Sequence, residues 1–272
     1  MPELPEVEIT RLGLMPLINH KVSQVVIRNS SLRWPVNLAL NSILKDMPLV
    51  GLQRRGKYIF ASFPIGTLII HLGMSGRLCI ASKKSAVQKH DHVDIIFNGP
   101  ENKILRYRDP RRFGSITWTE DDPYQHKLIM SLGPEPLDNE FSADYLYEKL
   151  RNKSVCIKNA IMNSHVVVGV GNIYASESLF QARVQPHRPA HKISKDEIKS
   201  IVDAIKDVIE NAINKGGSTL NDFFDVDGKS GYFQNEHHVY ARKGMPCYLC
   251  DHPILQITLG QRSSFYCKNC QK

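Results

Sequence analysis

At 272 residues, with 42% hydrophobic and 23% charged residues, the chain is long enough for two domains around a sizeable core and too apolar to be disordered. It carries no uncharged apolar run of membrane-spanning length, and its start is acidic rather than basic and then apolar, so neither a membrane nor a secreted protein is expected, but a cytoplasmic one. The net charge of +8 suits a polyanionic partner, with Arg242, Lys243, Arg262, Lys268 and Lys272 facing only Asp251 in the C-terminal tail.

The chain opens Met1-Pro2-Glu3-Leu4-Pro5-Glu6-Val7-Glu8. A small second residue permits removal of the initiator Met, which would leave Pro2 as a free secondary amine. An α-amino group has a pKa near ~8 against ~10.4 for Lys, so part of it is an unprotonated nucleophile at neutral pH, able to form an iminium with an electrophilic carbon. A plainer reading also stands: Pro5 at the first helical position, with Glu6 and Glu8 in a dipole-favoured first turn. Apolar Leu4, Val7, Leu12, Leu14, Leu17 and Ile18 predict a helix over 3–18, weakened at Gly13.

Beyond Lys21 the pattern changes to short β-branched segments: VSQVVI, KYIFASF, GTLIIHL, HVDIIF, ILRYR and GSITWT. Short turns separate them, which predicts an antiparallel sandwich or barrel. Leu132-Gly133-Pro134-Glu135-Pro136 reads as a linker. A helical region follows. Its clearest helix runs from Ser194, paired with Glu197 in a capping box, to about Lys215, where Gly216-Gly217 ends it. Residues 216–231 are rich in Gly, Asp and Ser and are expected to form a mobile loop.

Cys247-x2-Cys250 and Cys267-x2-Cys270 have the spacing of two zinc knuckles on one hairpin. Paired disulfides are the alternative, and a reducing cytosol disfavours them. Four thiolates on one Zn²⁺ leave no open position, so the ion is expected to be structural. Cys79 and Cys156 sit in apolar contexts and are expected to be buried. Gly260-Gln261-Arg262 lies at the predicted hairpin tip, where Arg262 can fork onto a phosphate or stand as a solvated loop cation.

Asp109-Pro110-Arg111-Arg112-Phe113-Gly114 is a turn bearing two Arg and an aromatic, the residue types needed to wedge between bases. Gly73-Met74-Ser75-Gly76 puts a second large apolar side chain at a tip; either Met or Phe alone reads as a core plug, and the pair of tips in one β-rich half as a wedge set. Val168-Gly169-Val170-Gly171-Asn172 lacks the third glycine of a dinucleotide fingerprint. It reads instead as a tight helix–turn–helix joint offering backbone N–H groups and Asn172 to a phosphate.

These segments together resemble the bacterial formamidopyrimidine-DNA glycosylases (Fpg, or MutM). PELPEVE at 2–8, RRGKY at 54–58, HLGMSG at 71–76, DPRRFG at 109–114, LGPEPL at 132–137, VGVGNIYASESLF at 168–180, GYFQNE at 231–236 and the zinc hairpin occur in family order along the whole chain. The resemblance implies an α+β protein: an N-terminal catalytic β-sandwich with a leading helix (1–131), a linker (132–138), a helix–two-turn–helix domain with the lesion loop (139–231) and a zinc finger (232–272). It implies a monomer acting on damaged double-stranded DNA held in a cleft, removing 8-oxoguanine and ring-opened purines as glycosylase and AP lyase.

Carried over by position, Pro2 attacks C1′, Glu3 is its acid/base partner, Glu6 assists proton movement, and Lys57 holds phosphate near the lesion. Met74, Arg111 and Phe113 fill the gap left by the flipped nucleotide, while His71, Arg112, Asn172 and Arg262 grip phosphates. Part of 218–226 closes over the base. Cys247, Cys250, Cys267 and Cys270 hold one Zn²⁺. Two departures stand out: Ile9 where the family usually has Thr, and Asn163-Ser164-His165 where Asp-Gln/Asn-Lys is usual. The alternatives are an endonuclease VIII-type glycosylase for oxidised pyrimidines, which typically begins PEGPE and lacks the wedge trio, and a silent zinc-dependent DNA-binding protein.

Overall fold

The computed structural model describes residues 2–99, 103–218 and 236–272. The chain forms two compact units, one of Met1–Met130 with Gly216–Gly231 and one of Ser131–Lys215 with Tyr232–Lys272.

The first unit opens with α1, Leu4–Gly13. Glu3 is its N-cap in an extended conformation, so Leu4 and Pro5 occupy the first two helical positions and Pro5 is second rather than first. The helix is shorter than the expected 3–18. Pro16 has no N–H to continue the ladder, and the chain tightens into a 3₁₀ turn over Met15–Leu17 before Asn19 takes a φ of 70°.

Among the described residues eight strands follow: β1 Val22–Ile27, β2 Gly51–Arg55, β3 Tyr58–Phe63, β4 Gly66–His71, β5 Arg77–Ala81, β6 Asp91–Phe97, β7 Ile104–Arg108 and β8 Ser115–Thr119. They make two antiparallel four-stranded sheets, ordered β1-β6-β7-β5 and β2-β3-β4-β8. Leu17, Val22, Ile59, Leu68, Ile70, Val93, Phe97 and Tyr107 belong to one buried cluster of this sandwich. Strands β2 (GLQRR) and β5 (RLCIA) escape a pattern search because they hold at most one β-branched residue and no aromatic, unlike the equally short β7 (ILRYR). A short helix, α2 Leu40–Leu44, lies between β1 and β2.

Within the β1-containing sheet a buried ion network replaces apolar packing. Arg106, 3% exposed, clasps Asp94 through both Nε and Nη2 at 2.9 Å, Arg28 reaches the same carboxylate at 2.7 Å, and Arg108 holds Asp91. Every charge in it has a partner, the condition under which buried ions are tolerated.

The second unit contains α3 Ala143–Leu150, α4 Ile157–Ile161, α5 Asn172–Gln181 and α6 Lys195–Asn214, then the hairpin β9 Leu255–Leu259 and β10 Arg262–Tyr266. Helix α6 has Ser194 and Glu197 in the expected capping box and buries Ile198, Ile201, Ile205 and Ile209. Gly216 and Gly217 follow with φ of 77° and 79°, a conformation only glycine enters without strain. The Pro-rich segment after Met130 is tied down: Gly133 N–H donates to Ser164 O at 2.8 Å and His165 Nδ1 lies 2.7 Å from Ser131 O. The unusual Asn163-Ser164-His165 stretch therefore buttresses this segment.

Cys79 and Cys156 are half-buried rather than buried, Cys79 because β5 is the edge strand of its sheet. Among the described residues, no helix is long and apolar enough to cross a membrane. Beyond Ser218 the expected 216–231 loop, and most of the GYFQNE motif, fall on residues 219–235, outside the described residues.

Candidate nucleic-acid interface and catalytic site

The first unit places Pro2, Glu3 and Glu6 together at the start of α1, all buried. Glu6 sits at N3, and its Oε2 accepts the Glu3 N–H at 2.8 Å. Its other oxygen, Oε1, accepts the Ser218 N–H at 2.8 Å. One carboxylate thus pins the chain next to Pro2 and the start of the segment that follows α6. Gly217 is required here, since a Cβ on it would meet Glu6 Oε1 at 3.1 Å in a backbone with φ of 79°.

Lys57 lies in the two-residue turn of the β2–β3 hairpin. The pairing Arg55↔Tyr58 leaves Gly56 and Lys57 as the loop, and Gly56 has a φ of 58°, as a tight hairpin turn demands. The turn is linked to α1. Arg54 donates through Nε to Glu8 Oε2 (3.0 Å) and through Nη1 to Gly56 O (3.2 Å), while Arg11 holds Glu8 Oε1 at 2.6 Å. Burial works to raise the Glu8 pKa, but the two guanidiniums outweigh it and keep the carboxyl below its ordinary value.

Directly across the β3–β4 ladder, His71 pairs with Tyr58, their rings 4.8 Å apart. His71 Nδ1 accepts the Gly73 N–H at 3.0 Å, so its proton sits on Nε2. Burial, reinforced by the positive charges of Lys57 and Arg33 and only partly opposed by Asp109, pushes its pKa down to about 4. His71 is therefore a neutral single donor, not a cation.

The two tips expected to act as wedges are joined by one buried residue. Asp109 is 0% exposed. Its Oδ1 accepts from Ser75 Oγ (2.7 Å) and Arg111 N (3.2 Å), and its Oδ2 from Gly114 N (2.9 Å) and Tyr107 Oη (3.1 Å). A Cβ on Gly73 would collide with Phe113 C and Gly114 N at 2.5 Å, so the tips touch backbone to backbone. Met74 and Phe113 are left 39% and 45% exposed, and the Arg111 guanidinium stacks 4.7 Å from the Phe113 ring. Arg112, exposed, takes a φ of 57° in this turn. Asp109 was not singled out from sequence. Its signal was the Asp-Pro turn opening, where an Asx side chain caps the backbone ahead of it.

In the second unit Asn172 opens α5 after the N-cap Gly171. Its side chain is already engaged: Oδ1 accepts from Lys158 Nζ (2.7 Å) and Nδ2 donates to Ser263 O (3.1 Å). Lys158, 1% exposed, also donates to Ser264 Oγ at 2.8 Å. Arg262 begins β10 just after the Gly260–Gln261 turn and is exposed. Lys158 had no sequence signal, because a single Lys in IKNAI reads as a solvent-facing cation. Glu177 on α5 was missed for the same reason. It accepts the N–H groups of His238, Val239 and Tyr240; burial works to raise its pKa, but the His238 imidazole and the Tyr240 and His238 N–H groups outweigh it and hold the pKa down.

The four sulfurs of Cys247, Cys250, Cys267 and Cys270 lie within 4.8 Å of one another. A zinc ion ~2.3 Å from each sulfur in a tetrahedron needs them about 3.8 Å apart. Cys250 lies 3.4 Å from both Cys267 and Cys270, and Cys247 lies 3.9 Å from Cys270. The set fits one structural zinc ion.

Comparison with known proteins spans the same elements. Residues 1–116 match the formamidopyrimidine-DNA glycosylase N-terminal domain, 132–224 its H2TH domain, and 244–272 the zinc finger found in FPG and IleRS. A formamidopyrimidine-DNA glycosylase of Methylobacillus flagellatus is 50% identical over 272 residues, covering all of this chain and 97% of that one. The Lactococcus lactis Fpg (MutM) solved with N7-benzyl-Fapy-dG containing DNA superposes with a TM-score of 0.91 at 30% identity over the whole of both chains. A MutM solved with carbocyclic 8-oxo-G containing DNA gives 0.89 at 31% identity, again over the whole of both.

Proposed function

The chain belongs to the formamidopyrimidine-DNA glycosylase family, and on that premise we propose that it is a DNA-repair glycosylase and AP lyase in which the Pro2 amine attacks C1′ of an oxidised purine nucleotide. The observation that carries this reading is the Glu6 carboxylate shared between the Glu3 and Ser218 N–H groups, which holds the residue beside Pro2 in one fixed position. A nucleophile held this way loses little entropy on reaction.

The chemistry follows from the residue types. C1′ is hidden in a duplex, so the nucleotide is flipped out at a cost of a few kcal/mol, partly offset by Met74, Arg111 and Phe113 filling the gap. Attack by the Pro2 nitrogen forms the N–C1′ bond as the C1′–base bond breaks, and the departing base takes a proton. Glu3, the carboxyl next to Pro2, is the group assigned to that transfer. The Pro2 nitrogen then gives up its proton and the C1′–O4′ bond breaks, O4′ taking a proton, so that the sugar ring opens to an iminium that acidifies C2′. Loss of its proton expels the 3′ phosphate, and a second elimination expels the 5′ phosphate. Water finally releases Pro2.

Lys57, beside His71 and tied to α1 through Arg54 and Glu8, is assigned to the phosphate next to the lesion. His71 contributes a neutral Nε2 donor there, and Arg112, Asn172 and Arg262 grip the backbone. The zinc shapes the hairpin carrying Arg262 and enters no step. Such an enzyme works where the chromosome is, in the cytoplasm and on the nucleoid.

Borohydride added with an 8-oxoguanine·C duplex reduces the iminium and leaves a covalent adduct. The reading requires such an adduct on Met-processed protein and its loss in a Pro2→Gly, Glu3→Gln variant. Absence of the first, or persistence after the second, would sink it. The same assay run with an oxidised-pyrimidine duplex assigns the lesion class.

A further inference from the structure

We propose that Arg33 grips a DNA backbone phosphate in the groove it forms with the Arg111–Phe113 tip, a binding residue beyond those of the motifs. The inference rests on the repair reading above.

The residues between β1 and α2 form a tight loop with two apolar anchors. Leu32 and Val36 are 8% and 2% exposed, Val36 N–H donates to Ser30 O at 3.0 Å, and Ser31 bridges to Pro35. Between the anchors Arg33 and Trp34 are held outward, both exposed. Arg33 is fixed further by its own N–H, which donates to Gly114 O at 3.0 Å. The loop is thereby seated on the turn that carries the wedge.

The groove between them is lined by Ser31, Leu32, Arg33, Arg111, Arg112 and Phe113. Three arginines and one phenylalanine line it, and among the described residues no carboxylate does. Elsewhere in this unit the arginines that serve the fold are neutralised: Arg28 by Asp94, Arg54 by Glu8, Arg106 by Asp94 and Arg108 by Asp91. No salt bridge among the described residues engages Arg33. A guanidinium on a rigid backbone, set among other cations and left without a counter-charge, is a site for an anion. Its charge is also felt at His71 and Tyr58, which puts it on the face that presents Lys57. A polyanion running along that face meets Arg33 next to the wedge, so the ligand is a phosphodiester of the lesion duplex.

The test is equilibrium binding of the full-length, zinc-loaded protein to a duplex with a tetrahydrofuran abasic analogue, over a range of salt. Arg33→Ala is expected to bind roughly 5- to 20-fold more weakly near 0.1 M salt, with a log–log salt slope smaller by about one. Arg33→Lys keeps most of both. A single neutral methylphosphonate, walked along each strand, should weaken wild type at one position where Arg33→Ala is indifferent. Because Leu32 and Val36 anchor the loop, the Tm of Arg33→Ala should match wild type. If wild type binds the duplex and Arg33→Ala matches it in affinity and slope, or responds to every methylphosphonate as wild type does, the assignment is wrong. Wild type that ignores the lesion duplex would overturn the repair reading, and this one with it.

Discussion

Lys158 Nζ lies 2.7 Å from Asn172 Oδ1, and this one contact decides which way the Asn172 amide points. With Oδ1 turned onto the buried ammonium and one Nδ2 hydrogen on Ser263 O, the remaining Nδ2 hydrogen is the side-chain donor Asn172 offers a phosphate. The same ammonium reaches Ser264 Oγ, so the start of α5 and strand β10, which carries Arg262, are set by one charge.

Lys158→Met should therefore cost more than its charge. It leaves Asn172 Oδ1 and Ser264 Oγ without their donor in a buried site, a loss of about 2–4 kcal/mol. Duplex affinity should fall at least tenfold while one zinc per chain is retained, as read by denaturation, binding and metal content. Wild-type affinity in the variant would remove Asn172 from the phosphate contacts.

Arg54→Met should separate Lys57 from the nucleophile. Arg54 joins Glu8 on α1 to Gly56 O in the Lys57 turn, so its loss frees the turn without touching Pro2. Cleavage of abasic DNA should slow several-fold, with partial recovery in Arg54→Lys. A rate equal to wild type would show that the turn holds itself.

His71 makes stability pH-dependent in a definite direction. Its folded pKa of about 4 lies below the unfolded value near 6.5, so between those values the unfolded chain binds a proton that the folded chain does not. Stability is lost as pH falls through that window, by at most roughly 3 kcal/mol from this residue. Urea unfolding at pH 7.5 and pH 5 should show the drop, and His71→Gln should reduce it. Binding to duplex should show no His71 titration between pH 6 and 8.

Chelating the zinc should release one ion per chain and abolish duplex binding, because the hairpin holding Arg262 depends on four mutually repelling thiolates. The first unit contains none of these ligands, so the β-sheet signal of its sandwich should survive. Loss of both together would show that the ion supports the whole chain.

Much of this was legible before any coordinates. The zinc set, helix α6 and the exposure of Met74, Phe113 and Arg262 follow from spacing, periodicity and turn residues, which are local properties. Strands β2 and β5 were not legible, because they hold at most one of the β-branched and aromatic residues that mark the other strands. Nor were Asp109, Lys158 and Glu177, whose partners lie up to 106 residues away along the chain.

The sequence by itself determined the chemistry on offer: a Pro2 among carboxylates that carries a free amine once Met1 is removed, four thiols at knuckle spacing, and arginines beside apolar tips. Those are matters of residue type and short spacing. Only the tertiary structure decided how these groups are held and charged. It divides Glu6 between Glu3 and Ser218, makes His71 neutral by burial among cations, joins the Met74 and Phe113 tips on Asp109, and leaves Arg33 without an ion-pair partner among the described residues. Each of these depends on the distance between groups far apart in the chain, and on the water that folding removes from around them.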